Sequence, residues 1–149
     1  MAQNRIKAKG RREKGTYAGI PHAVTRSREY ASLTAVAVKM LVDITDQFNG
    51  KNNGDFQATR PFMQRKGWKS KATIRRALDE LVDKGFIVIS RQGGRNLCML
   101  YALTFLAIDD CKGKLDIEET RTPLSFWKKS LVPKLGQLDP AMRSTDEPE

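Results

Sequence analysis

The chain has 149 residues, 40% of them apolar, which is enough for the core of one domain and too few for several. Lys and Arg number 27 against 17 Asp and Glu, a net charge of +10 that favours polyanionic partners, and no apolar run approaches the ~20 residues of a membrane span. Cys98, Cys111 and the single histidine, His22, make no metal-binding spacing, so two reduced thiols are expected and neither a metal nor another cofactor.

Residues 1–16 carry Arg5, Lys7, Lys9, Arg11, Arg12 and Lys14 against one acid, Glu13. With almost nothing apolar to bury they are expected to form a flexible basic arm, and no apolar stretch follows that would make them a secretory signal. Folded structure is expected over 17–110. "AGIPHAV" contains Pro21 and reads as an extended lead-in. Ser32 is then positioned to cap a helix through LTAVAVKMLVDITDQF, whose Leu33, Val36, Ala37, Met40, Leu41 and Ile44 recur at helical spacing as one buried stripe. "NGKNNGD" at 49–55 ends it, with Asn and Gly supplying left-handed backbone for a tight connection.

"DFQAT" is long enough only for a single edge strand. Thr59 caps a short helix, RPFMQRK, with Pro61 in its first turn, and Gly67 stops it. Ser70 caps the next helix, KATIRRALDELVDK, which Gly85 terminates. Ile74, Ala77, Leu78, Leu81 and Val82 fall on its inner side, and Ala72, Arg76, Asp79 and Asp83 on the opposite one. Lys69, Lys71, Arg75 and Arg76 come early in this helix; Asp79, Glu80 and Asp83 come late. The helix dipole favours the reverse order, so a partner's negative charge at the N-terminal end is expected to compensate. A β-hairpin at 85–104 follows, with strands from Phe86 and from Leu97, and Gln92-Gly93-Gly94-Arg95 as a tip in which glycine accepts positive φ. Residues 111–136 hold Leu124, Phe126, Trp127 and Leu131, expected to pack back on the first helix or to form a dimer or partner contact. Residues 137–149 include Asp146, Glu147 and Glu149 and are expected to be a disordered acidic tail.

Helix, short strand, helix, turn, basic helix, hairpin is the order of an α+β winged helix-turn-helix: a three-helix core with a C-terminal β-hairpin wing. Residues 60–95 hold ten bases and three acids, so +7 of the chain's +10 lies on the elements that would touch DNA. The stretches "IPHAV…SLTAVAVKMLVDITDQFNGKNNGDF", "WKSKATIRRALDELVDKGFIVISRQGG" and "YALT" also resemble winged-helix proteins of bacterial plasmids, phages and integrated elements, a replication-initiator-like helix-turn-helix group. The resemblance spans about residues 18–108 and is carried by "NGKNNG" and "SKATIRRALDELVDKGFI". It implies the fold and DNA binding. Full initiators of this type often carry further domains, so the length of this chain leans towards a small regulator.

The expected DNA-contacting residues are Arg60, Lys69, Ser70, Lys71, Thr73, Arg75, Arg76, Arg91 and Arg95. Arg75 or Arg76 suits a bidentate contact to guanine, Lys69 and Lys71 suit phosphates, and Thr73 and Ala72 suit a thymine methyl. Arg91 and Arg95 would meet phosphates or a minor groove, as would the arm. Plainer alternatives are a solvated basic helix face and a hairpin tip that is basic for solubility; Trp68 either stacks near the backbone or plugs the core. No catalytic set stands out. Asp109-Asp110 lacks a third carboxylate at a useful spacing. The glycines at 10 and 15 have phosphate-loop separation, but Thr16-Tyr17 stands where Lys-Ser/Thr is required. The expectation is a non-enzymatic, sequence-specific double-stranded DNA-binding protein, a transcriptional regulator of a mobile element, cytoplasmic and nucleoid-associated, acting as a homodimer with no small-molecule ligand. A replication or partition accessory factor and a protein-binding winged helix, adaptor or inhibitor, are the alternatives.

Overall fold

Pro21, itself extended, stands at the N-cap of a helix. Its carbonyl accepts from the Val24 and Thr25 amides and so starts the single turn of α1 (His22–Thr25). The expected extended lead-in therefore holds only as far as Pro21, whose backbone is extended, and turns helical from His22, because proline lacks only an N–H that this position does not use. The structure, a computed structural model, describes residues 15–128. The basic arm, apart from its last two residues, the acidic tail and residues 129–136 lie outside the described residues.

Ser27 caps α2 (Arg28–Ala31), its hydroxyl accepting from the Tyr30 amide at 3.1 Å. The next helix, α3 (Ala35–Thr45), is capped by Thr34 and not by Ser32. Ser32 is spent on closing α2, where its hydroxyl donates to the Glu29 carbonyl at 2.7 Å, while Thr34 has the extended backbone of an N-cap and accepts from the Ala37 amide at 3.2 Å. Then come β1 (Phe56–Gln57), α4 (Arg60–Arg65), α5 (Lys71–Asp83), β2 (Ile87–Arg91) and β3 (Leu100–Leu103), followed by a tight turn at Cys111–Gly113. The fold is α+β, with five α-helices and a three-stranded antiparallel sheet ordered β1-β3-β2 among the described residues. None of these helices is long and apolar enough to cross a membrane.

Ala37, Met40, Leu41 and Ile44 of α3 face Ile74, Ala77, Leu78 and Leu81 of α5, all buried, as the helical periodicities require. Val36, expected in the same stripe, is 43% exposed. Fully burying one Leu, Ile or Met is worth about 1.5–3 kcal/mol, against a few tenths for an exposed ion pair, so this seam decides how the two helices sit. Charge finishes the alignment. The Thr34 amide and hydroxyl both donate to the Glu80 carboxylate at 2.8 Å, and Lys84 Nζ donates to the Ser32 carbonyl and hydroxyl at 2.8 Å. Glu80 thus supplies negative charge to the N-terminus of α3, where the dipole favours it.

The 49–55 loop works differently from expectation. Only Gly50 and Gly54 take positive φ there. The asparagines use their side chains: Asn52 Oδ1 accepts from the Asn49 amide at 2.8 Å, and Asn52 Nδ2 donates to the Gln47 carbonyl at 2.9 Å. Asn53 is fully buried and ties the loop to the chain that leaves β3. Gly54 is required by its φ of +127°, and a Cβ there would also have to push the Leu115 Cδ1 methyl aside.

β3 is central, pairing Ile87↔Leu103, Val88↔Ala102, Ile89↔Tyr101 and Arg91↔Leu100 with β2, and Phe56↔Tyr101 with β1. The register skips Ser90, which bulges into the core so that its hydroxyl meets the Gly54 carbonyl. Of the residues beyond 110, Trp127 is 7% exposed and stacks on Phe86 with ring centroids 6.5 Å apart, so this segment packs back on the start of β2.

Candidate nucleic-acid interface

The turn between α4 and α5 is built from Lys66, Gly67, Trp68, Lys69 and Ser70. The Trp68 amide donates back to the Met63 carbonyl at 3.0 Å, and Gly67 makes that reversal with φ of +95°. Trp68 is 6% exposed, and its Nε1 donates to Asp43 Oδ2 at 2.7 Å, so it is a core plug that anchors the turn to α3. Asp43 in turn accepts from Lys39 Nζ at 2.8 Å, and the Lys39 ammonium lies 5.1 Å from the Trp68 ring centroid while also donating to the Lys66 carbonyl. Lys39 is the residue that sequence reasoning misses. Its one signal is being the sole cation in the apolar run AVAVKMLVDIT.

Ser70 begins α5 as expected, its hydroxyl accepting from the Thr73 amide at 3.2 Å. Thr59 holds the corresponding position of α4 by backbone alone, because its hydroxyl donates to Gln57 Oε1 at 2.7 Å. An open groove of about 400 Å³ lies between α3 and the start of α5, lined by Ala35, Val36, Lys39, Gly67, Trp68, Lys69, Ser70 and Thr73. The structure brings Lys69, Ser70 and Thr73 together on this groove. Arg60, Lys71 and Arg76 are exposed on α4 and α5.

The cations divide into two sets. Lys66 pairs with Asp46, Lys84 with Ser32, and Lys114 with Asp55. Arg75 Nε lies 3.1 Å from Asp79 Oδ1. Arg60, Lys69, Lys71, Arg76 and Arg95 have no acceptor or ion-pair partner among the described residues, and the same holds for the exposed Arg26, Arg28, Lys51, Lys112 and Arg121 away from this face. The reversed charge order of α5 is accordingly half explained from within. Glu80 serves α3 and Asp79 holds Arg75, while Lys71 of the first turn and Lys69 just before it face solvent unneutralised. Tyr101 of β3 lies within electrostatic reach of Arg75 and Asp79. Burial raises its hydroxyl pKa; the Arg75 charge opposes that rise and Asp79 adds to it.

The hairpin departs most from expectation. Gly93 and Gly94 do not adopt positive φ; Asn96 does, at +60°. Gly94 and Leu97 exchange both backbone hydrogen bonds, at 3.0 and 3.1 Å, so the tip is Arg95-Asn96, and asparagine tolerates the left-handed position. Arg91 is not a tip residue. It is the last residue of β2, half-buried, and its Nη2 donates across the hairpin to the Cys98 carbonyl at 2.8 Å. Arg95 alone of the two is exposed, and no bond joins either to the α5 set among the described residues. Cys98 and Cys111 are both half-buried and unpaired with each other.

No protein-family model matches this chain, and comparison with curated proteins and with solved structures likewise gives no match.

Proposed function

We propose that the chain is a sequence-specific double-stranded DNA-binding protein of winged helix-turn-helix type, with α4, the turn and α5 as the helix-turn-helix and β2–β3 as the wing. The observation that carries the reading is the division among the cations. Lys69, Lys71 and Arg76 are unneutralised, exposed and close together in sequence around the start of α5, while Lys39, Lys66, Lys84 and Lys114 are engaged by the protein itself. Unneutralised ammonium and guanidinium groups along a helix N-terminus suit phosphate contact, with counterion release as the driving term. Base reading falls to the exposed Lys71, Ala72, Arg75 and Arg76 with the half-buried Thr73, and Arg76 has the donor geometry for guanine O6 and N7. Together with the resemblance to winged-helix proteins of mobile elements, this makes the chain a cytoplasmic, nucleoid-associated regulator acting as a dimer. A replication or partition accessory role uses the same surface.

Selection of bound fragments from a random duplex pool tests the reading. The expected result is one enriched motif, palindromic, with half-sites about one DNA turn (~34 Å) apart. Failure to enrich any sequence removes the reading and leaves an acidic protein as the partner of the basic face. The wing gives a second expectation. Arg95→Ala should reduce the salt slope of DNA binding by about one while leaving thermal stability unchanged. Arg91→Ala should instead lower stability by about 1 kcal/mol, since it strips a hydrogen bond from the Cys98 carbonyl. Equal salt slopes for Arg95→Ala and wild type would remove the wing from the interface.

A further inference from the structure

Two adjacent arginines on α5 are held in different ways. Arg76 has no partner among the described residues, whereas Arg75 donates from Nε to both carboxylate oxygens of Asp79, at 3.1 Å to Oδ1 and 3.3 Å to Oδ2. The two side chains of the pair are 71% and 64% exposed, so solvent screens it and its worth to the fold is a few tenths of a kcal/mol at most. Its orientation is also the poorer one for a helix, with the base N-terminal to the acid and both charges against the dipole. Stabilising α5 is therefore not what this pair does well.

What it does is geometric. A guanidinium is planar, so fixing Nε–H against a carboxylate also fixes the plane in which both Nη groups lie. Those Nη groups have no acceptor among the described residues. They form the end-on fork that meets guanine O6 and N7. Asp79 makes no other hydrogen bond or ion pair among the described residues, and it is the neighbouring Glu80 that Thr34 engages. We infer that Asp79 is a positioning residue that orients Arg75 for bidentate reading of one guanine, which makes Arg75 the preordered base reader and Arg76 the one that orders only on contact. This rests on the DNA-binding reading and sharpens it to one residue pair and one base.

The test uses the full chain and the motif selected by wild type. Affinity for that motif and for random duplex of the same length is measured for wild type, Asp79→Ala, Arg75→Ala and the double variant. Asp79→Ala is expected to cut the ratio of motif to random affinity about 2-fold, the most that ordering by an exposed pair supplies, and Arg75→Ala by about 10-fold or more, as loss of the bidentate contact itself requires. Random-duplex affinity should stay the same or rise, because a negative charge leaves the DNA-facing side. The double variant should discriminate no worse than Arg75→Ala, and the loss should fall on a single G·C pair of the motif. Thermal midpoints should agree within about 2 °C, as an exposed pair requires. An undiminished ratio in Asp79→Ala, or additive losses in the double variant, overturns the positioning role while leaving DNA binding intact. A wild-type chain that enriches no motif overturns the DNA reading, and this inference with it.

Discussion

Asn53→Ala is expected to lower the unfolding free energy by about 3–5 kcal/mol, the largest single-residue effect outside the apolar core. Asn53 is fully buried, and its amide is saturated. The two N–H groups of Nδ2 are shared among the carbonyls of Leu103, Leu106 and Ala107, at 3.0, 3.1 and 2.9 Å, and Oδ1 accepts from the Leu103 amide at 2.8 Å. Its backbone adds reciprocal bonds with Asp109, the Asn53 amide donating to Oδ2 at 2.8 Å and the Asp109 amide donating to the Asn53 carbonyl at 3.0 Å. Truncation to Ala leaves a buried amide and several carbonyls without partners, each costing about 1–3 kcal/mol before relaxation. Urea unfolding checks it, with a lower midpoint at unchanged slope as the expected trace. Asn53→Asp makes the comparison sharper. It keeps the shape and replaces the donor by an oxygen facing three carbonyls, so its loss should be at least as great. A loss below about 1 kcal/mol in both variants would mean that water or loop movement satisfies these groups.

The second large effect concerns binding. Replacing Lys69, Lys71 and Arg76 together by Ala should reduce affinity for the selected duplex by about 100-fold or more near 50 mM salt, and flatten the plot of log affinity against log salt by about 2–3 units. Stability should be unaffected, because none of the three side chains has a partner among the described residues. Lys66→Ala and Lys84→Ala are the matched controls. Each removes the same unit of charge, but from a cation engaged by Asp46 or by Ser32, so they should act on stability more than on the salt slope. If all five cations contributed equally to the slope, binding would depend on net charge alone and the α5 surface would have no special part.

The candidate site was legible to the extent that it depends on order along one helix. The basic first half of α5, its Ser70 cap and the turn at Gly67 could be read directly, since capping and helical spacing act over three or four residues. Which arginine is free was not legible. Arg75 and Arg76 are equivalent as letters; only side-chain placement pairs the first with Asp79. Arg91 was misplaced for a related reason. The bulge at Ser90, tied to Gly54 36 positions away, carries β2 on to Arg91 and moves the turn out to Arg95-Asn96.

By itself the sequence determined the local features of this protein: where α3, α4 and α5 run, which faces of α3 and α5 are apolar, that β1 is a short edge strand, and where positive charge gathers. Each of these follows from periodicity, caps and turn chemistry over a few residues. The tertiary structure alone decided which polar groups are already satisfied. Glu80 reaches Thr34 across 46 positions, Asn53 reaches Leu103 across 50, and Trp68 reaches Asp43 across 25. Such bonds form only once apolar burial has brought distant segments together, and no spacing rule encodes them.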